Sequence, residues 1–396
     1  MISRTKVNYP YKDIINSIKL SRQPGNYNEL VKKELKRYLE IEHVLLTPSG
    51  RGGLYYILKA IPKPNVIIPA YTCSAVEEAA KLAGKNVIYV DVEPNEFNIS
   101  PNSLHSVIDN HSIVIATHQF GIACDIEEIV KICHRADACV VEDVAAALGT
   151  KINGKLAGTF GDVAFFSFDS TKLITVPLKG GFICTSNKSL FNEVSNAHQK
   201  EILIMPIWHK IKTIFLGLLM LLIELKPFYT VFYLLNFSLR NRYTAETSRI
   251  STTKNGFYKY DFSNWQASIA YNQIKNLTSI INKRQVDFHY YQNKLQNCNL
   301  FILPPFNKND ENVCIRFAIK VRADKLCYYR KAIKKGVDFG FSFTFITAPT
   351  KYVYAHELAA SVLNLPYYFK LTDQDRRKVV NTLINLEKRY QEPTYD

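Results

Sequence analysis

Four short stretches carry side chains able to do chemistry, and each adjoins an apolar run. In Phe166-Ser167-Phe168-Asp169-Ser170-Thr171-Lys172 a lysine lies just past a β-prone run, with Ser167 five positions before it. A lysine so placed either condenses with a carbonyl compound as a Schiff-base lysine, with Ser167 holding a phosphate, or is an ordinary solvated loop lysine. Glu142-Asp143 closes the run Ala138–Val141. A carboxylate there either meets a ligand cation or caps a following helix, expected over Val144–Leu148. Ser49-Gly50-Arg51-Gly52-Gly53 lies between a short apolar run and a helix starting near Leu54. Its backbone N–H groups either cradle an anion or bind nothing. Lys179-Gly180-Gly181 reads as a structural turn into another strand.

The elements that must position these stretches alternate along the chain. Buried-strand candidates are Val44–Leu46, Val66–Ile68, Val87–Val90, Ile113–Ala116, Ala138–Val141 and Val163–Phe166. Helical spacing separates several of them, as in Ala75–Ala83 and Ile126–Arg135. Continuous rather than alternating apolar strands, interleaved with helices, predict an α/β fold with a mainly parallel sheet between helical layers. Ligands bind beyond the carboxyl ends of such strands, where these residues fall. Residues 263–296 read as one long helix or a broken pair. A smaller α+β unit follows, with a strand over Ile315–Val321 and helices over Asp324–Lys335 and Arg376–Tyr390. The expected division is 1–250 for the large domain and 251–396 for linking helix and small domain.

One segment departs from this pattern. Thr213 to Leu239 is almost wholly apolar, interrupted by Glu224, Lys226 and Pro227. It lies within an insertion at about 205–242. Unbroken, it would reach about 40 Å as a helix. The Glu-Leu-Lys-Pro break instead predicts two arms, each too short to cross a bilayer alone. Lys210, Lys212, Arg240 and Arg242 flank it. Two readings stand: peripheral contact with an anionic membrane face, or a helical hairpin buried at a subunit interface.

Composition narrows the partners. Apolar residues make up 47% and charged residues 21% of 396, which excludes disordered and collagen-like chains. Fifty Lys and Arg against 35 Asp and Glu give a net charge of +15, favouring anionic partners. The basic residues form no run, so nucleic acid is not expected, and the aromatic residues read as core and interface. The eight cysteines include no C-x-x-C pair, and no two histidines are spaced for a metal, so reduced thiols in a cytoplasmic protein and no metal are expected. The first residues lack the apolar core of a signal peptide. His118 reads as a packing residue or, as the sharper option, a catalytic one.

Taken in order, the motifs resemble one family. SGRGGL, PAYTCSAV, VDVEPNEFNI, THQFG, VVEDVAAALG, GTFGDVAFFSFDSTK with its following GGF, SNWQASIAYNQI and LNLPYYFKLTDQD are similar to those of the DegT/StrS-type sugar-nucleotide aminotransferases. The resemblance implies the pyridoxal-phosphate transferase fold of type I, a three-layer α/β/α large domain with a small C-terminal domain. It also implies pyridoxal 5′-phosphate as cofactor and a homodimer that shares its active sites. Lys172 matches the Schiff-base lysine, Asp143 the partner of the ring nitrogen, Ser167 a phosphate ligand, and Gly50-Arg51 the phosphate-binding turn. Four positions depart from the family pattern. Arg51 replaces a small hydroxyl residue and is expected to ion-pair the phosphate. Cys73 stands where an aromatic stacks on the ring, and Ala146 where a glutamine reaches the ring hydroxyl. Lys259 stands where an asparagine reaches the partner subunit's phosphate.

The expected activity is transfer of an amino group, from glutamate, to a keto sugar on a nucleoside diphosphate, for O-antigen, capsule or other amino-sugar synthesis. Two alternatives remain at this point: a membrane-peripheral protein that keeps the fold with lost or altered activity, and aminotransfer to a lipid-linked carbonyl.

Overall fold

The computed structural model describes residues 1–20, 26–94, 96–240, 253–299, 301–303, 310–322, 324–344 and 346–391. Seven strands form its main sheet: β1 (His43–Thr47), β2 (Asn65–Pro69), β3 (Asn86–Val90), β4 (Ser112–Thr117), β5 (Cys139–Asp143), β6 (Val163–Ser167) and β7 (Gly181–Thr185). Their order across the sheet is β1-β7-β6-β5-β4-β2-β3. β2 to β6 pair in parallel, whereas β7 runs antiparallel to both of its neighbours. Parallel neighbours need crossovers. Helix Ser74–Leu82 supplies that from β2 to β3 and helix Ile126–Arg135 that from β4 to β5, while Gly50–Ala60 carries the chain from β1 to β2.

Both faces of the sheet are covered. Val140, Phe166 and Phe182 point into one core with Ile269 of the linking helix. Val141, Phe165 and Ile183 point into the other, against Leu54 and Ile57. Phe166 and Phe182, directly opposite in register, stack with ring centroids 4.1 Å apart. Strand alternation therefore sends Glu142 and Asp143 to opposite faces.

The 263–296 stretch is a broken pair, Asn264–Lys275 and Leu277–Leu295. A second sheet follows, with β8 (Phe301–Ile302), β9 (Phe317–Val321), β10 (Gly340–Phe341) and β11 (Val362–Leu365) in the order β8-β9-β11-β10. Helix Asp373–Gln391 closes the fold. The expected boundary at 250/251 lies outside the described residues. The helix expected over Val144–Leu148 does not form: residues 145–149 are successive turns. The Asp143 carboxylate accepts from the Ala145 N–H as a cap would, but the backbone then closes in three-residue turns, Ala147 N–H to the Val144 carbonyl at 3.1 Å and Thr150 N–H to the Ala147 carbonyl at 2.9 Å.

The apolar insertion forms two helices, Ile207–Ile223 and Lys226–Arg240, bent by 100°. Among the described residues no single helix is long and apolar enough to cross a membrane. The elbow is tied to the body of the protein. The Glu224 carboxylate accepts the Val7 N–H and pairs with Lys370 at 3.5 Å. The Tyr229 hydroxyl donates to Asp338, which also pairs with Arg4 at 2.9 Å. Of the expected basic flank, Arg242 lies outside the described residues.

Candidate active site

The site is assembled where β1, β5, β6 and the crossover helices end. Ser49 caps helix Gly50–Ala60, its hydroxyl accepting from the Gly52 N–H at 3.0 Å and donating to the Phe257 carbonyl at 2.7 Å. The first turn of that helix carries no acidic residue of its own, so none of its side chains opposes the positive end. Ser167 ends β6 directly against it. A Cβ added to Gly50 would lie 2.9 Å from the Ser167 Cβ, and one added to Gly181 would lie 2.8 Å from the Gly50 nitrogen. Glycine at both positions lets strand, turn and helix meet. Gly181 thus has a defined part in the cradle, beyond the plain turn the sequence suggests.

Lys172, half-buried, and Asp143, buried, lie close enough to feel each other's charge. Burial lowers the Lys172 ammonium from its ordinary value, and the Arg316 guanidinium lowers it further, against the pull of Asp169 and Asp143. Among the described residues no carboxylate forms an ion pair with Lys172. Burial raises the Asp143 carboxyl, while the Lys172 charge and the Ala145 N–H pull it down. Cys73, the N-cap of helix Ser74–Leu82, is within electrostatic reach of Lys172. Asp143 and Cys73 are thus both within electrostatic reach of Lys172, and Ser167 and Gly50 meet as a cradle.

One expected role is not met. The Arg51 guanidinium turns to Glu78, at 3.0 Å, and lies 5.8 Å from the centroid of the Phe257 ring. Tyr258 donates to the same Glu78 oxygen at 2.6 Å. A buried acid thus claims the side chain that would otherwise reach a phosphate, leaving the Arg51 backbone N–H as its contribution. Lys259 is exposed at the end of the short helix Gly256–Lys259, and its carbonyl accepts from the Leu203 N–H at 2.7 Å. Ala146 sits on the turn after Asp143 and packs against the main core.

His118 resolves as a packing residue. The Cys124 N–H donates to its Nδ1 at 3.2 Å, leaving the Nε2–H to donate to Glu142 at 3.2 Å. Glu142 accepts further N–H bonds from Gly158, Phe160 and Gly161, at 2.8, 2.6 and 2.6 Å. Burial would raise its carboxyl; the His118 bond and these amides hold it below the usual carboxylate range. Tyr71, fully buried, donates to the Ser342 carbonyl at 3.2 Å and lies edge-on to Phe343.

Three residues hold the lysine loop, all inside motifs quoted above but none singled out there. Gln266 completes the capping box with Ser263 while its Nε2 donates to the Pro177 and Lys179 carbonyls at 2.9 and 2.8 Å. Gln273, seven residues on and so on the same helical side, accepts the Thr175 N–H at 3.0 Å and donates to the Thr175 carbonyl at 2.7 Å. Asp169 pairs with Lys179 at 3.1 Å across the loop. Asp169 was visible in its motif; the two glutamines look like any polar helix residues until the loop is placed against them.

The comparisons with known proteins agree with this geometry. The family model for the DegT/DnrJ/EryC1/StrS aminotransferase family matches residues 9–384. The chain belongs to this family. It is an aminotransferase with pyridoxal phosphate as its cofactor. An uncharacterised protein of Methanocaldococcus jannaschii is 26% identical over 373 residues, covering 88% of this chain and 86% of that one. The GDP-perosamine synthase of Escherichia coli O157:H7 is 31% identical over 172 residues, 42% of this chain and 47% of that enzyme. The chain thus spans about half the length of that relative. Helicobacter pylori PseC, an aminotransferase involved in the biosynthesis of pseudoaminic acid, shares the fold at TM-score 0.77 and 16% identity, covering 98% of this chain and 99% of that one.

The cleft fits the cofactor. A helix N-terminus with no acid in its first turn, opened by glycines against Ser167, suits a phosphate dianion. A buried carboxylate coupled to a half-buried lysine whose ammonium is disfavoured suits a cationic ring nitrogen and an aldehyde carbon. Bound there, pyridoxal phosphate supplies an electron sink for the carbanion formed at the amino donor's α-carbon.

Proposed function

We propose that this aminotransferase moves an amino group from glutamate to a keto sugar of a nucleoside-diphosphate sugar, yielding an amino sugar for O-antigen, capsule or related glycan assembly. The observation that carries the reading is the electrostatic coupling of Lys172 to Asp143, with Ser167, five residues before the lysine, meeting Gly50 as a cradle, within a family of aminotransferases. Lys172, its amine driven toward the neutral form, holds the cofactor and moves a proton to and from the donor α-carbon at Nζ. Asp143 keeps the ring nitrogen positively charged. Ser167 and the Gly50 and Arg51 amides hold the phosphate. The active form is a cytoplasmic homodimer, in which Lys259, exposed on one protomer, faces the phosphate of its partner.

A second reading, transfer to a lipid-linked carbonyl, draws on one observation. A cavity of about 210 Å³ joins Pro48, Lys179 and Phe257 of the site to Met205, His209 and Lys212 of the apolar insertion. The deciding experiment has two stages. Purified protein given pyridoxal phosphate is expected to turn yellow, and borohydride to fix the cofactor on the peptide carrying Lys172, as read by mass spectrometry. A folded Lys172→Ala variant that captures cofactor equally well would overturn the assignment. The loaded enzyme with glutamate is then offered nucleotide-linked and lipid-linked keto sugars, and the class that accepts nitrogen separates the two readings.

A further inference from the structure

The outer surface of the two bent helices plays no part in the cleft. Helix Ile207–Ile223 packs inward through Thr213 and Gly217, so closely that a Cβ on Gly217 would lie 2.8 Å from Pro177. Outward it presents Trp208, Ile211, Phe215, Leu218 and Leu222, three and four residues apart, which form one stripe. Trp208 is 77% and Phe215 63% exposed. Phe228, Val231 and Phe232 present further apolar surface on the second arm. Exposed apolar surface on this scale marks an interaction face.

Charge decides what covers it. From 202 to 240 the only acid is Glu224, and it is turned inward to Val7 and Lys370. Lys210 and Lys212 stand on the first arm, with Lys212 exposed, and Lys226 at the elbow pairs with Asp375. Two copies laid face to face would bring these lysines together with no acid of either helix pair to meet them. The anchored elbow also keeps the arms from straightening into a span. We propose that this face lies in the plane of an anionic lipid leaflet, its stripe at the acyl boundary and its lysines among the headgroups. Trp208 is of the residue type that settles at that boundary.

The test uses the full chain loaded with cofactor and phosphatidylcholine vesicles made with or without phosphatidylglycerol. Flotation is expected with phosphatidylglycerol and to be weaker by about tenfold without it. Phe215→Glu/Leu218→Glu, at exposed positions, is expected to lower binding by about tenfold or more with cofactor absorbance and oligomeric state unchanged. Lys210→Glu/Lys212→Glu is expected to abolish the dependence on phosphatidylglycerol. No flotation on either vesicle, equal flotation on both, or a dependence that survives the lysine changes would overturn the inference. So would a Phe215→Glu/Leu218→Glu protein that falls apart into smaller assemblies, which would mark a face between copies.

Discussion

Glu142 and Asp143 stand side by side in β5, yet their surroundings call for opposite responses to the same change. Glu142 accepts four hydrogen bonds, two at each oxygen. Whichever way the amide of Glu142→Gln turns, its NH2 group faces two donors. The expected cost is about 3 kcal/mol, measured by denaturant unfolding at neutral pH. Because the folded carboxyl is held below its unfolded value, this contribution is complete above the usual carboxylate range. It fades as pH falls through the folded value, so the gap to the parent protein should narrow in acid. Asp143→Asn removes a carboxylate that burial disfavours, and stability should change by less than about 1 kcal/mol. Turnover, by contrast, should drop by about a hundredfold or more, since the ring nitrogen loses its counter-charge. Arg316 acts on the lysine by its field. Arg316→Gln removes a nearby cation, which favours the protonated ammonium, so the pH midpoint for cofactor capture should move upward. An unchanged midpoint, followed by absorbance against pH, would show that burial alone sets the amine.

At the scale of elements, the lysine loop is held by a helix that the chain reaches almost a hundred residues later. Gln273→Ala would leave the buried N–H and carbonyl of Thr175 without partners, at an expected cost of about 2–3 kcal/mol. Faster proteolytic cutting between Leu173 and Lys179 should accompany the lower melting temperature. This clamp marks where sequence reading stops. The strands and their carboxyl-end residues are legible because continuous apolar runs and post-strand motifs are local signals. Lys172, Asp143, Ser167 and Gly50 accordingly fall where the pattern puts them. The fate of Arg51 is not local: it depends on Glu78 and Tyr258, distant in the chain and brought together only by packing. The helix expected after Asp143 gives way to three-residue turns although its carboxylate makes a cap-like bond, an outcome no local motif announces.

At the scale of the molecule, the first residues of the chain touch three parts at once. Ile2 bonds to the backbone of Gly336 and Asp338 beside the small sheet, Val7 to the elbow of the insertion, and Asn8 to Leu173 and Thr175 next to the lysine. Loosening that segment should therefore be felt in all three. Asn8→Ala is expected to raise amide hydrogen exchange at Leu173–Val176 and around Glu224 together, while the exchange of β4 and β5 stays at its parent rate. Such joint exchange has a practical meaning for the enzyme's life in the cell. A protease that trims these few amino acids would slacken the reactive loop and the greasy elbow in a single cut, so catalytic competence and surface attachment would age as one property.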